Sequence, residues 1–386
     1  MLEKIYFANN GTEFTYKWED ETFYFYIFML LIILLCDPFI KSIKGKRFLY
    51  KKQINNTVFF SLFLLFFLVC ALRGDSVGRD TPMYNDIFYA SINWNSLSRW
   101  GMEPGFYCLN SLFRRIFTSR EWGIVIFSFI TLFLIFKTIY DNRNRLDVTM
   151  ALFLFVGIGF YLQSFDLLRI SLCTSIELYY FHYIIEKKYY KYFIVLLLCV
   201  TIHYTAMLMI VPYLSYILFR KKMKYYYFYI TFLTFVSSYI ASNLGNFIFI
   251  ARYEHYTSDE MSKVGLGMAQ FVYNLPILAF AYYMSTKKYI SRNMIVLLVI
   301  YSCFCMLYGI LGYYIPVGRS VIHFLMIFVI LIPYCLYQLK RNNDKYYYYI
   351  RFFLILYGVL RYHMYLKDYL YSDGIMPYKM MEFQFF

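Results

Sequence analysis

Charge is scarce in this chain. Of its 386 residues only 16% are charged, against roughly 25% in soluble domains. No C-x-x-C spacing occurs among the eight cysteines, most of which sit inside apolar runs. This argues against structural zinc and against a disulfide framework. No D-x-D or E-x-D pair stands in the glycine-rich stretch after the second apolar run, so a carboxylate-held divalent metal is not indicated, and no P-loop is present. There is no internal repeat, no low-complexity linker and no stretch fit to be a soluble domain. The first 22 residues are polar and slightly acidic, so no cleavable signal is expected.

Apolar residues take the place of charge. They make up 61% of the chain, aromatics 24%, and the mean hydropathy is +0.50. A soluble fold cannot bury that much apolar surface. Runs long enough to cross a bilayer recur throughout, which predicts an all-α, multi-spanning membrane protein. The net charge of +15 lies in short clusters between the runs, as the positive-inside rule expects, and does not point to nucleic acid. The 46 tyrosines crowd the ends of runs, as in "KKYYKY" and "DKYYYY", which fits an interfacial belt.

The basic loops set the topology. The segment 41–55 carries six basic residues and no acid, so it is placed in the cytoplasm and the N-terminus outside. The run 56–72 returns across the membrane, and 73–121 becomes a long external loop. From Trp122 the chain alternates with "DNRNR", "EKKYYK", Lys287–Arg292 and "KRNNDK" inside. The run 192–219 breaks the alternation. As one helix it would carry "RKKMK" outside. As a hairpin it returns those charges to the cytoplasm, with arms of about 14 residues or about 21 Å, short of a core of about 30 Å. Its tip carries "TIHYT". The expected architecture is therefore a single integral membrane domain over 1–386, with about ten full transmembrane helices plus one hairpin of two short helices. Both termini are external.

Ionisable groups inside membrane segments need a reason. Asp166, Arg169 and Glu177 lie along one span, His203 sits at the hairpin tip, and Arg319 opens a late span with His323 one turn on. All but Glu177 fall on the outer side. Each has a plainer reading: the arginines could snorkel to the interface, Asp166 and Arg169 could pair, and His203 and Glu177 could be satisfied core groups. On the same side lies "LRGDSVGRDTPMYNDIFY", residues 72–89. Gly74 and Gly78 permit tight turns and close approach to a ligand, Arg73 and Arg79 can grip phosphate, and Asp80 before "TP" can cap a helix.

These residues resemble a family. "RGDSVGRDTPMYNDIF" is similar to the first outer-loop signature of EpsG-like, Wzy-type polysaccharide polymerases, at Arg73, Gly78, Asp80, Tyr84 and Phe88. "EPGFYCLN" from Glu103 resembles the E-x-G-[FY] segment that follows. "FDLLRISL" places Arg169 where the family has an arginine, although Ile170 stands where a glutamine often follows. "IHYTA" resembles the H-x-[ST]-[AG] element at His203, Arg319 resembles a late-span arginine, and "MPYK" near the C-terminus also fits.

The resemblance implies an enzyme of the cytoplasmic (inner) membrane that builds capsular or other surface polysaccharide on the external face. Its substrate would be an oligosaccharide on undecaprenyl diphosphate, and a flippase and a chain-length regulator would work beside it. No cofactor and no metal are expected. On this reading Arg169 and Arg319 stabilise the leaving diphosphate, His203 is the base, and Asp80 is the rival base or orients the acceptor sugar. Arg73, Gly78, Arg79, Tyr84 and Glu103 bind substrate. Three alternatives stay open: a ligase using the same donor, a metal-dependent sugar transferase, and a flippase or transporter with no chemistry of its own.

Overall fold

The computed structural model describes residues 4–7, 13–16, 19–40, 48–92, 103–220, 267–311, 315–369 and 374–381. Two short strands, β1 (Lys4–Phe7) and β2 (Glu13–Tyr16), form an antiparallel ribbon with Lys4 opposite Tyr16. All other regular structure among the described residues is helical. In chain order the helices are α1 (Asp20–Leu35), α2 (Asp37–Ile40), α3 (Phe48–Ala71), α4 (Thr81–Ala90), α5 (Pro104–Arg114) and α6 (Trp122–Asp141). Then come α7 (Val148–Gly157), α8 (Phe160–Asp166), α9 (Leu168–Tyr180), α10 (His182–Ile185) and α11 (Tyr189–Ile202). A 3-10 helix (Tyr204–Met209) leads into α12 (Ile210–Phe219), and α13 (Gly267–Ser285), α14 (Arg292–Leu311), α15 (Ile315–Met326), α16 (Phe328–Arg341) and α17 (Tyr347–Tyr369) follow.

α7 is apolar on every side, and every residue from Thr149 to Gly157 is buried. A helix of that kind belongs inside a bundle. It packs against α1, α16 and α17, and the carboxylate of Asp147 caps it by accepting from the Met150 N–H at 3.3 Å.

The expectation of about ten full spans is corrected. Among the described residues three helices are long and apolar enough to cross a membrane: Asp20–Ile40, Trp122–Asp141 and Val321–Arg341. Val148–Gly157 and Phe160–Asp166 make a fourth if their 46° bend lies within one span. Over 148–219 the reason is local. Apolar runs that hydropathy joins are divided by backbone breaks, at Gly159 with φ +94°, at Leu167 with ψ 56° and at His203, which is extended at φ −154°, ψ 122°. The helices beside these breaks have 10 residues (Val148–Gly157), 7 (Phe160–Asp166), 13 (Leu168–Tyr180) and 14 (Tyr189–Ile202), and the expected span at 225–249 lies outside the described residues.

The run 192–219 folds back on itself. The hydroxyl of Tyr213 in α12 donates to the Tyr189 carbonyl at the start of α11, at 2.9 Å. Arg220, just past α12, lies over the Tyr189 ring at 4.7 Å. The chain thus returns to the level it left, with the break at His203–Met209 between the arms.

Two ends of the bundle can be told apart by their contacts. At one end Met381 N–H donates to Leu72 O at 2.7 Å, Gly78 N–H to Gly374 O at 2.8 Å, and Tyr378 N–H to Thr22 Oγ1 at 3.0 Å. The start of α1, the end of α3 and the segment 374–381 therefore meet around the glycine-rich loop. At the other end Arg351 bridges Asp37 at 3.2 Å and Asp147 at 3.3 Å, and Lys287 pairs with Asp344 at 2.8 Å.

Candidate functional site

Among its described residues the expected external loop carries two helices. Both open on proline, Pro82 in α4 and Pro104 in α5, where a missing N–H costs nothing. A small apolar core under them, including Ile87, Phe106, Phe127, Leu172 and Cys199, ties α4 and α5 to α6, α9 and α11. That core sets the depth at which the polar residues meet.

Glu103 precedes Pro104, and a residue before proline is pushed out of the helical region. It is extended at φ −66°, ψ 139°, and its side chain does not cap α5. The carboxylate turns instead toward α9 and the break after α11. Its Oε2 pairs with the Arg169 guanidinium, and its Oε1 lies 2.9 Å from His203 Nδ1. Arg169 Nε also donates to the Tyr84 hydroxyl at 3.4 Å, and the guanidinium stands 5.9 Å from the ring centres of Tyr84 and Phe106. Four of the expected site residues, Tyr84, Glu103, Arg169 and His203, are thus one connected group.

The electrostatics follow from that packing. Burial works against the Glu103 charge, but the hydrogen bond from His203 and the Arg169 guanidinium outweigh it and hold the carboxyl at about 2, well below its ordinary value. Glu103 is then an anion, so His203 presents Nδ1–H to it and keeps Nε2 as the basic atom. Burial, with the Asp80 charge adding to it, pushes the Tyr84 phenol up to about 12 against the opposing pull of Arg169, so Tyr84 is a neutral hydroxyl.

Close approach is built in at Gly105. A Cβ there would lie 2.2 Å from Thr201 Oγ1 and 2.8 Å from the Thr201 carbonyl carbon. Only glycine lets the start of α5 rest on the last turn of α11, two residues before His203.

The other expected residues are placed differently. Arg73 is fully buried. Its guanidinium bonds Cys70 O, Ser128 Oγ at 3.2 Å and Phe165 O at 3.0 Å, and it lies over the Phe165 ring. Where phosphate binding is expected of it, its two terminal nitrogens thus meet acceptors of the scaffold, while Nε is buried without a partner. Gly78 has φ +89°, and a Cβ there would lie 2.3 Å from Phe165 O, so the close approach it permits is to its own chain. Arg79 is exposed. Asp80 stands at the N-cap of α4 but its carboxylate makes no cap bond, while its N–H donates to Asp166 Oδ1 at 2.9 Å. The possible Asp166–Arg169 pair is thus replaced: Asp166 holds the Asp80 backbone, and Arg169 pairs with Glu103 instead of snorkelling. Arg319 belongs to α15, one turn before His323, and its side chain lies outside the described residues.

Sequence reasoning did not join Thr205, His323 and Glu177, which form a second polar group beside the first. His323 Nδ1 lies 2.9 Å from Glu177 Oε2 and its Nε2 3.0 Å from Thr205 Oγ1. The presence of both histidines on the expected outer side was the only signal, and no spacing rule links positions so far apart.

A family model for the EpsG family matches residues 56–380. No curated protein and no solved structure matches. The match covers most of the chain and every residue of both polar groups, together with the apolar helices Trp122–Asp141 and Val321–Arg341. The chain belongs to the EpsG family, and with it to the membrane proteins of polysaccharide biosynthesis.

Proposed function

We propose that this chain polymerises oligosaccharide repeat units carried on undecaprenyl diphosphate, on the external face of the cytoplasmic membrane, into capsular or other surface polysaccharide. The observation that carries the reading is the Glu103 carboxylate held between Arg169 and His203. It puts a base and a cation side by side, and glycosyl transfer from a diphosphate requires both.

The acceptor sugar hydroxyl attacks the anomeric carbon of the donor. As the new C–O bond forms, the bond from that carbon to the diphosphate oxygen breaks, and the hydroxyl proton passes to His203 Nε2. Glu103 keeps the imidazole in the right tautomer and stabilises the imidazolium, as a positioned carboxylate does for a catalytic histidine. The leaving diphosphate needs cations where its charge develops. A guanidinium has five N–H donors, so the contacts of Arg169 to Glu103 and Tyr84 leave it able to bond diphosphate oxygens. Arg319, carried on α15, is assigned as the second cation, and Arg79 is exposed on the loop. Asp80, beside Tyr84 on α4, orients the acceptor.

The test is turnover of purified lipid-linked repeat unit by the full chain in detergent, with chelator present. His203→Ala should lower turnover by about 10²–10⁴ and leave single repeat units in place of long chains. Arg169→Lys keeps the charge but loses the planar fork and should also fall sharply. Full turnover by His203→Ala with none by Asp80→Asn moves the base to Asp80. Full turnover by both variants removes the site from this part of the molecule, and loss of wild-type turnover with chelator ends the metal-independent reading.

A further inference from the structure

Two members of the second polar group, Glu177 and His323, are buried inside the bundle, and the third, Thr205, is half-buried. His323 is 0% exposed and Glu177 is 1% exposed, and Glu177 Oε1 is buried with no hydrogen-bond partner. Carboxylates and imidazoles so far from water in a membrane bundle are costly and have a reason to be there. Their one outlet among the described contacts is Thr205, two residues after His203.

We propose that Glu177 and His323 are positioning residues of the polymerisation site, acting through Thr205 to fix the turn that carries His203. The proposal rests on the reading of His203 as the base. Glu177 Oε2 accepts the Nδ1–H of His323, which fixes the tautomer and leaves Nε2 as an acceptor. Nε2 then accepts a hydrogen bond from the Thr205 hydroxyl. That bond matters because the turn is intrinsically soft. His203 is extended, and Tyr204–Met209 is a 3-10 helix, whose hydrogen bonds are poorer than those of an α-helix. Glu103 holds His203 from one side and His323 holds Thr205 from the other, so the backbone between them is clamped at both ends. The same helix, α9, supplies Arg169 to the first group and Glu177 to the second, two turns apart. One rigid element thereby sets the spacing between the cation and the base, which is how a reactive geometry is best kept.

The test is steady-state kinetics on lipid-linked repeat unit with the full chain in detergent. Thr205→Val keeps the shape and removes the hydroxyl. It should lower kcat by about 10–100-fold, the effect of a slightly misplaced catalytic group, with KM within about twofold. Thr205→Ser, which restores the hydroxyl, should recover most of the loss. In a His203→Ala background Thr205→Val should change the residual rate little, because residues acting as one unit are not additive. If Thr205→Val fails to accumulate, Glu177→Gln is measured instead, since it keeps the volume but no longer fixes the His323 tautomer; the same fall in kcat is expected. Wild-type kcat in whichever of the two is measured, or an equal fold-loss in the His203→Ala background, overturns the positioning role while leaving the base in place. Full turnover by His203→Ala overturns the base and this proposal with it.

Discussion

Glu103 and His203 stand 100 positions apart in the chain and meet at 2.9 Å, Oε1 to Nδ1. Pro104 turns Glu103 out of α5, and the end of α11 turns His203 into an extended conformation. Two helix boundaries therefore make the contact.

That contact has a pH signature in stability. The Glu103 carboxyl is held at about 2, below its ordinary 4.5, so the folded protein binds its proton less readily than the unfolded chain. The stabilisation is complete above pH about 4.5 and is lost as pH falls toward 2. Thermal unfolding in detergent at pH 6 and at pH 3 should show a larger drop for the wild type than for Glu103→Gln. Equal drops would show that Glu103 is not held as an anion. Because Glu103 does not titrate near neutrality, the pH dependence of turnover between about 5 and 8 belongs to another group.

Gly105→Ala should be far more harmful than its size suggests. The new methyl would meet both the hydroxyl and the backbone of Thr201, lifting α5 and drawing Glu103 from His203. Overpacking of this kind costs about 1–3 kcal/mol, and turnover should fall further than stability. Adding Thr201→Ala should not restore activity, because the Thr201 carbonyl carbon remains 2.8 Å from the added atom. Recovery in the double variant would mean that the side chain alone sets the approach.

Arg73→Lys separates scaffold from substrate contact. An ammonium cannot reach Cys70, Ser128 and Phe165 together, and buried acceptors left without donors cost on the order of 1–3 kcal/mol each. The variant should show a lowered Tm and reduced protein level, with KM for the lipid-linked substrate unchanged. A raised KM at normal Tm would return Arg73 to phosphate binding.

Topology can be read by labelling with an impermeant thiol reagent in intact cells. Cys108 is exposed on α5, so the experiment needs a Cys108→Ser background. A cysteine at Ser76 should label, and cysteines at Lys46 and Lys222 should resist. Labelling at 222 would mean that the chain does not return across the membrane between 192 and 219, despite the contact of Arg220 with Tyr189.

The sequence by itself determined the helical class and the membrane character, because apolar runs this frequent leave no soluble alternative. It also determined which chemistry-bearing residues to suspect, since Tyr84, Glu103, Arg169 and His203 each stand in a local motif. The number of helices long enough to span was not legible, because a break such as Leu167 or His203 is a matter of φ and ψ that hydropathy does not register. Only the tertiary structure decided the partners. It gave Arg169 to Glu103 instead of nearby Asp166, sent Arg73 into main-chain carbonyls, and joined His323 to Glu177 across 146 positions. Local sequence fixes where a helix begins and what it carries. Which charge a buried side chain faces depends on how helices distant in the chain pack, and no residue spacing encodes that.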